Sequence, residues 1–546
     1  MAVAWKRGVA AALLVAVFVG QAVWAARTDS VTIDEFAHLP VGLYYLFTGD
    51  YSVDPINPPL PRMLAAAAVT WHAPEIDTQP QTSPWAIGYD FQSRNVERYA
   101  ELFAAGRLTV VALAVLTGLL VLRWAAELYG PPAGLAALAL FSVSPSMLAH
   151  GHLITLDVPG AFGFTLAAYA AWQLMQRPGW ARAALLGAAI GAATLLKLSA
   201  FVLGLAIVAV VVVRAIGERD VGAGRWAALL GVAALAGLSV LNAGYGFFGT
   251  LAPLSTLALD ATGTLGQLAE RWPGLRLPLP SPFVEGVDMV LNVGKSKSLN
   301  YFLAGELSAE GWWYYHLAAF ALKTPVALLV LSGAALLRWV TGTSGGRYEY
   351  CLFVPVVTIF VANTLFNSLY IGVRHVLPAY PLLLVACGGV VGAAFERGSR
   401  VSIAAVAALV VWLAAANASV APRYLAYFNE FAGGADGGHR WLVDSNLDWG
   451  QDLARLRREM DARGWTHVNL AYFGRVDPRV YGVPFAPLVR GSTGPTAVSA
   501  TFLMGRPYLW YVGNSMRWTP ADNWGWMREY EPVGRAGTMF LYDLAP

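Results

Sequence analysis

Charge is scarce in this sequence. Of 546 residues, 13% are Asp, Glu, Lys or Arg, while 57% are hydrophobic. A soluble globular chain carries about 25% charged residues, so a water-soluble enzyme and a disordered scaffold are both excluded. The formal net charge is only +3 and no long Lys/Arg run occurs, which excludes a basic nucleic-acid surface. Cysteine is nearly missing. Cys351 and Cys387 both sit inside apolar runs, so no disulfide framework is implied. Lysine is rare too, with five Lys against thirty-two Arg. There is no internal repeat, so an inverted-repeat transporter gains no support.

What the sequence has in abundance is apolar runs of about 20 residues, the length that crosses a bilayer as helix. Eleven are expected, over 8–26, 104–122, 132–149, 158–176, 181–197, 199–216, 226–248, 320–340, 350–367, 376–395 and 401–421. Lys6–Arg7 ahead of the first run also fits a cleaved signal peptide, but the run is long enough to span. The Lys/Arg bias of short loops sets orientation. With the N-terminus inside, Lys6, Arg7, Arg123, Arg177, Arg182, Arg214, Arg219, Arg225, Arg338, Arg347, Arg397 and Arg400 are cytoplasmic. The short loops of the other face hold only Lys197 and Arg374. The expected protein is a multi-pass one of a bacterial inner membrane, N-terminus in and C-terminus out.

Two domains follow. Residues 1–421 form the transmembrane part, with outer loops 27–103 and 249–319, and 422–546 form a small soluble α/β unit outside. Within the first loop, Pro58–Trp71 reads as an interfacial helix opening at a proline. In the tail, Asp452–Arg463 reads as a helix, and His467–Phe473, Ala497–Leu503, Tyr508–Val512 and Thr538–Leu544 as short strands.

Ionisable groups near a bilayer are costly and point to function. Asp34, Glu35 and His38 follow the first span. Arg62 lies on the interfacial helix, and His150, His152 and Asp157 lie between the third and fourth spans. Lys197 separates the fifth and sixth, Lys323 opens the eighth, and Arg374-His375 opens the tenth. All fall at the outer boundary. Arg62, Lys197, Lys323, Arg374 and His375 suit an anion such as a phosphate, while snorkelling anchors would look the same in sequence. Asp34-Glu35 suits a general base for a hydroxyl nucleophile, or an ordinary acidic helix start. Asp157 with His150 and His152 suits a divalent cation or a helix cap. Asp444, Asp448 and Asp452 share one face if that stretch is helical throughout, a condition Gly450 weakens.

These residues lie in motifs that resemble a known family. Thr32-Ile33-Asp34-Glu35-Phe36-Ala37-His38, Asn57-Pro58-Pro59-Leu60, Thr155-Leu156-Asp157-Val158-Pro159, Lys323-Thr324-Pro325, Gly372-Val373-Arg374-His375 and Asp444-Ser445-Asn446-Leu447-Asp448-Trp449-Gly450-Gln451-Asp452 resemble bacterial family 39 glycosyltransferases. These are relatives of the dolichyl-phosphate-mannose protein mannosyltransferases in the GT-C superfamily. The resemblance implies a GT-C multi-span fold and transfer of a sugar, by family habit mannose or another hexose, from a polyprenyl-phosphate donor to an acceptor hydroxyl. It implies Asp34 as catalytic base with Glu35 in support, cations for the donor phosphate, and His38, Asp157, Asp444 and Asp448 shaping the acceptor side. The chain departs at Pro61-Arg62, where relatives often place a small residue and Lys. It also lacks the large luminal insert of eukaryotic protein mannosyltransferases, so the acceptor, whether protein, lipid or glycan, stays open. No metal is obligatory, because a phosphate paired with Lys or Arg can leave without one. The competing readings are a transporter of the lipid-linked sugar and a non-catalytic assembly partner.

Overall fold

The structure, a computed structural model, describes residues 2–217, 222–292, 300–512 and 515–545. Arg219, one of the cations used to orient the chain, lies outside the described residues. Every expected span is occupied by helix, but not all by a single long one. Trp5–Thr28, Val96–Tyr129, Ala200–Gly217, Ala223–Gly244, Ala379–Arg397 and Arg400–Ala418 are each long and apolar enough to cross a membrane. Tyr315–Lys323 and Val326–Val340 make a seventh crossing if taken together, although they meet at a bend of 116°. Thr324 at that bend is extended (φ −96°, ψ 130°) ahead of Pro325, as expected before a proline that cannot continue the helix. The third expected span is likewise broken, into Pro131–Ser142 and Pro145–His150. The fifth and sixth are separate helices, parted where Lys197 turns extended (φ −154°, ψ 125°). Trp180–Leu196 and Tyr350–Leu365 are shorter apolar helices. This is a multi-pass helical membrane protein carrying a C-terminal unit with a small sheet.

Small residues set the helix spacing. A Cβ at Gly187 or Gly191 would run into the backbone of Ala233 or Gly237 on the helix Ala223–Gly244, the close approach typical of membrane helix pairs.

The first long loop folds into three helices, Ile33–Thr48, Pro59–Val69 and Pro84–Arg94. A helix is thus present where Pro58–Trp71 was expected, opening at Pro59 and ending at Val69. Ile33–Thr48 starts with a capping box: the Thr32 hydroxyl covers the first turn while the Glu35 carboxylate accepts the Thr32 N–H, leaving its N-terminus well defined.

The tail contains a helix, Leu453–Arg463, and a five-stranded mixed sheet. Its order is Phe485–Pro487, Val468–Ala471, Gly494–Ser499, Met539–Leu544, Gly534–Ala536. The first three strands run parallel and the last two pair antiparallel. Two expectations need correction. The strand expected over Ala497–Leu503 ends at Ser499, where Ala500–Leu503 turns helical. The common face of Asp444, Asp448 and Asp452 does not form, because Asp444 (φ +58°) and Gly450 (φ +93°) are both left-handed and regular helix begins only at Leu453.

Two pieces of the stretch expected to open the soluble unit, 424–429 and 442–451, are buried against the helices of the membrane part, while 430–441 between them carries exposed residues. Ser30 N–H donates to Gln451 O (2.8 Å), Ile33 N–H to Trp449 O (3.0 Å) and Asn429 N–H to Leu322 O (3.0 Å). Apolar residues of the spans and of the tail sheet share one continuous core.

Candidate functional site

A half-open cavity of about 440 Å³ lies where the helix Ile33–Thr48, the start of Asp157–Gln176, the Lys197 break and the loop before Ala379–Arg397 converge. Its polar end is made by Asp34, His38, Asn57, Asp157, Lys197, Arg374 and His375, and its apolar wall by Phe164, Val202, Leu203, Val290, Ile359, Ala362 and Phe366. Six of the residues singled out in the sequence therefore meet in one place.

Their charges alternate. Arg374 Nη1 donates to Asp34 Oδ2 at 2.6 Å and lies 3.9 Å from Asp157 Oδ2. Lys197 Nζ donates to Asp157 Oδ1 at 2.8 Å. The Arg374 guanidinium is also stacked at 4.5 Å over the ring of Trp449, and this cation–π contact fixes its plane. Asp34 stands in the first turn of its helix and its side chain remains 22% exposed toward the cavity, against 4% for Asp157. Asp34 is thus the more accessible of the two. His38 Nδ1 faces the Ile154 carbonyl at 2.9 Å. Burial, then Arg62, pull its pKa down to about 4. Its ring is therefore neutral at pH 7, with Nδ1 as the donor and Nε2 left as acceptor. Burial and then Arg374 also push His375 well below its usual value, so Lys197 and Arg374 are the cations of the site.

Five residues singled out with them lie elsewhere, and the reason in each case is a buried partner. Glu35 is fully buried and faces away from Asp34, as neighbours on a helix do. It accepts from Arg107 Nε (2.8 Å) and Nη2 (2.6 Å) and from Ile154 N–H (2.9 Å). Arg62 is buried against Asp54 at 2.5 Å. Lys323 donates to the carbonyls of Leu425 (2.8 Å) and Asn446 (2.5 Å) and sits 4.2 Å over the Phe428 ring. Asp444 pairs with Arg506, and Asp448 accepts from Thr501 N–H at 3.1 Å. None of the five lines the cavity. The cation trio His150–His152–Asp157 does not assemble either. His152 turns to Asp29 (3.0 Å) and the Leu148 carbonyl (2.7 Å), while His150 stays 4.0 Å from Asp157. Among the described residues no group of three His, Cys, Asp or Glu is arranged to hold a metal.

Sequence reasoning missed the residues that hold the site together. Arg107, fully inside the second span, ties Glu35 to the carbonyls of Ala26, Asp29 and Ser30. Asp29 in turn joins His152 to Arg455 of the tail (2.5 Å). A signal for Arg107 was present, since a lone cation within an apolar run demands a partner. Trp449 lay within the motif Asp444–Asp452, but nothing in that motif pointed to its place under Arg374.

Residues 100–242, about a quarter of the chain, match the family described as dolichyl-phosphate-mannose-protein mannosyltransferase. That match bears out the family resemblance. No curated protein matches the sequence. Among solved structures, ArnT from Cupriavidus metallidurans is similar at 13% identity over 99% of this chain and 98% of its own, with a TM-score of 0.47. The same enzyme has been crystallised with undecaprenyl phosphate. The Archaeoglobus fulgidus oligosaccharyltransferase aligns at 12% identity over 93% of this chain and 74% of its own (TM-score 0.42). The Saccharomyces cerevisiae Pmt1-Pmt2 complex aligns at 20% over 44% and 33% (TM-score 0.30).

Proposed function

We propose that this relative of the dolichyl-phosphate-mannose protein mannosyltransferases is a membrane glycosyltransferase that takes a hexose, by family habit mannose, from a polyprenyl-phosphate donor. The observation that carries the reading is the two-sided cavity. A lipid-linked sugar phosphate needs an anion-binding end beside an apolar wall, and a lining that combines Lys197 and Arg374 with apolar side chains supports that reading. Arg374 and Lys197 receive the phosphate, while the wall of Val202, Leu203, Ile359, Ala362 and Phe366 takes the first isoprene units. Asp34, the most accessible carboxylate, faces the acceptor.

The reaction is a single displacement at the anomeric carbon. The acceptor oxygen forms the new bond as its proton passes to Asp34. The bond from the anomeric carbon to the phosphate oxygen breaks, and its electron pair leaves on the phosphate, where Arg374 and Lys197 stabilise the added charge. The anomeric configuration inverts. No metal is required, since two cations already face the leaving group. His38, its Nδ1–H engaged, offers Nε2 to a sugar or acceptor hydroxyl. The tail lies on the outer face of a bacterial inner membrane and the N-terminus inside, as the loop charges indicate.

The test uses purified protein in detergent with polyprenyl-phosphate [³H]mannose and candidate acceptor fractions of the envelope. Loss of labelled sugar from the lipid, with gain in one fraction, is expected. Movement of intact labelled lipid across vesicles with no cleavage of the sugar–phosphate bond would show a transporter instead.

A further inference from the structure

A second cationic region lies on the tail, sharing no residue with the cavity of Asp34. It is a groove of about 700 Å³ lined by Phe431, Gly433, Asp436, Arg440, Trp441 and Arg535. A small neighbouring cleft shares Asp436 and Arg535 with it and adds Arg423 and His439. Glycines build its floor: a Cβ at Gly438 would enter the ring of Phe428, and one at Gly437 would meet the Ala432 carbonyl. Arg440 and Arg535 therefore line the groove, and Arg423 and Arg535 the cleft beside it. Asp436, itself 91% exposed, offsets Arg535 at 3.4 Å. Among the described residues Arg423 and Arg440 have no ion-pair partner. The crowding is felt by Arg535, whose guanidinium is made easier to deprotonate first by burial and then, against the opposing pull of Asp436, by the two like charges. Its position is set by the Phe540 ring 4.3 Å below it.

The depth of the groove follows from its neighbours. Arg423 comes five residues after Arg400–Ala418, a helix long and apolar enough to cross a membrane, and a cation so soon after a span is at headgroup depth. Trp412, six residues before that helix ends, donates to Glu430 at 2.6 Å. Phe431, next in the chain and 70% exposed, is thereby held near the acyl boundary, with Trp441 (38% exposed) beside the groove. Cations at headgroup depth beside exposed aromatics match the chemistry of an anionic lipid, with the phosphate on arginine and the chains on the aromatic side. We infer that this groove binds the phosphate headgroup of an anionic membrane lipid, at a site separate from the sugar-donor cavity.

The test is native mass spectrometry of the full chain in detergent, with phosphatidylglycerol or phosphatidylcholine added. The wild type should retain phosphatidylglycerol in preference, and Arg423→Gln/Arg440→Gln should retain about tenfold less or lower. Arg423→Lys/Arg440→Lys should keep most of it. Lys197→Met, which alters the donor cavity, should keep the preference too, so the result does not depend on the proposed transferase activity. Equal retention by the wild type and the Gln variant overturns the inference. So does complete displacement of phosphatidylglycerol by equimolar inorganic phosphate, which would mark a free-phosphate site.

Discussion

Arg374 and Asp34 neutralise one another across 2.6 Å, so the candidate phosphate ligand and the candidate base are each other's partner. Under the proposed mechanism an arriving phosphate would compete with Asp34 for the same guanidinium and release Asp34 to take a proton, which would make donor binding and activation of the base one event.

Replacing Asp34 by Asn should separate the two roles. Transfer should fall by about a hundredfold or more, while donor affinity holds or improves, because Arg374 no longer has a competing carboxylate. Steady-state kinetics with equilibrium donor binding on the same preparation reads both. Near wild-type turnover would remove Asp34 from the chemistry.

Lys197→Met keeps the apolar stem and deletes the charge that meets Asp157 at 2.8 Å. Truncating one partner of a buried charge pair costs roughly 2–5 kcal/mol, or about thirty-fold in affinity at the low end. The apparent donor KM should rise by that order. If KM is unchanged and only the melting temperature drops, Lys197 is an anchor and nothing more.

Lys323→Met should behave in the opposite way. Its Nζ donates to Leu425 O and Asn446 O, and losing it strands two buried acceptors at roughly 1–3 kcal/mol each. Melting temperature in detergent should fall with donor KM little changed. A raised KM at full stability would return Lys323 to the donor site.

Glu35→Gln breaks the doubly bonded pair with Arg107. Removing one member of a buried pair costs about 3–5 kcal/mol, so the expected result is poor folding rather than a clean kinetic defect. Recovery of well-folded protein with a pure loss of turnover would argue for a direct role in catalysis.

Asp448 provides a pH test. Burial raises its pKa to about 7, well above the unfolded value of about 4. Between those values the folded state holds the extra proton, so this group's contribution to stability declines as pH rises from about 4 through 7. Asp448→Asn should flatten that part of the profile and raise the melting temperature above pH 7. A variant with the wild-type slope would assign the dependence to another group.

Hydropathy reports depth in a membrane but not direction around a helix axis, and the outcome at each residue follows that division. Asp34, Asp157, Lys197 and Arg374 were legible because each interrupts an apolar run at one boundary, and the fold brings all four into one cavity. Arg62 and Lys323 fall at the same expected boundary yet turn toward Asp54 and toward the carbonyls of Leu425 and Asn446. Only packing decides such a turn. Glu35 shows the same limit, since adjacent helical residues point about 100° apart and the pair Asp34-Glu35 divides between cavity and core. The interruption of the Asp444–Asp452 run depended on two left-handed residues, of which only Gly450 advertised itself. The tail helix and three of its strands were legible from periodicity. Short strands such as Gly534–Ala536, with three residues, carry too little pattern to be read.

Trp449, stacked on Arg374 and bonded through its carbonyl to Ile33, gives the site an order of assembly. Asp34 leaves the ribosome hundreds of residues before Arg374, and Trp449 emerges later still. All the spans can therefore be inserted while the cavity still lacks the platform under its arginine. A nascent chain halted after the last span should be membrane-embedded yet unable to present Arg374 correctly. On the proposed reading, transfer therefore waits until the segment carrying Trp449 has folded back onto Ile33, so the last part of the chain to be made completes the site.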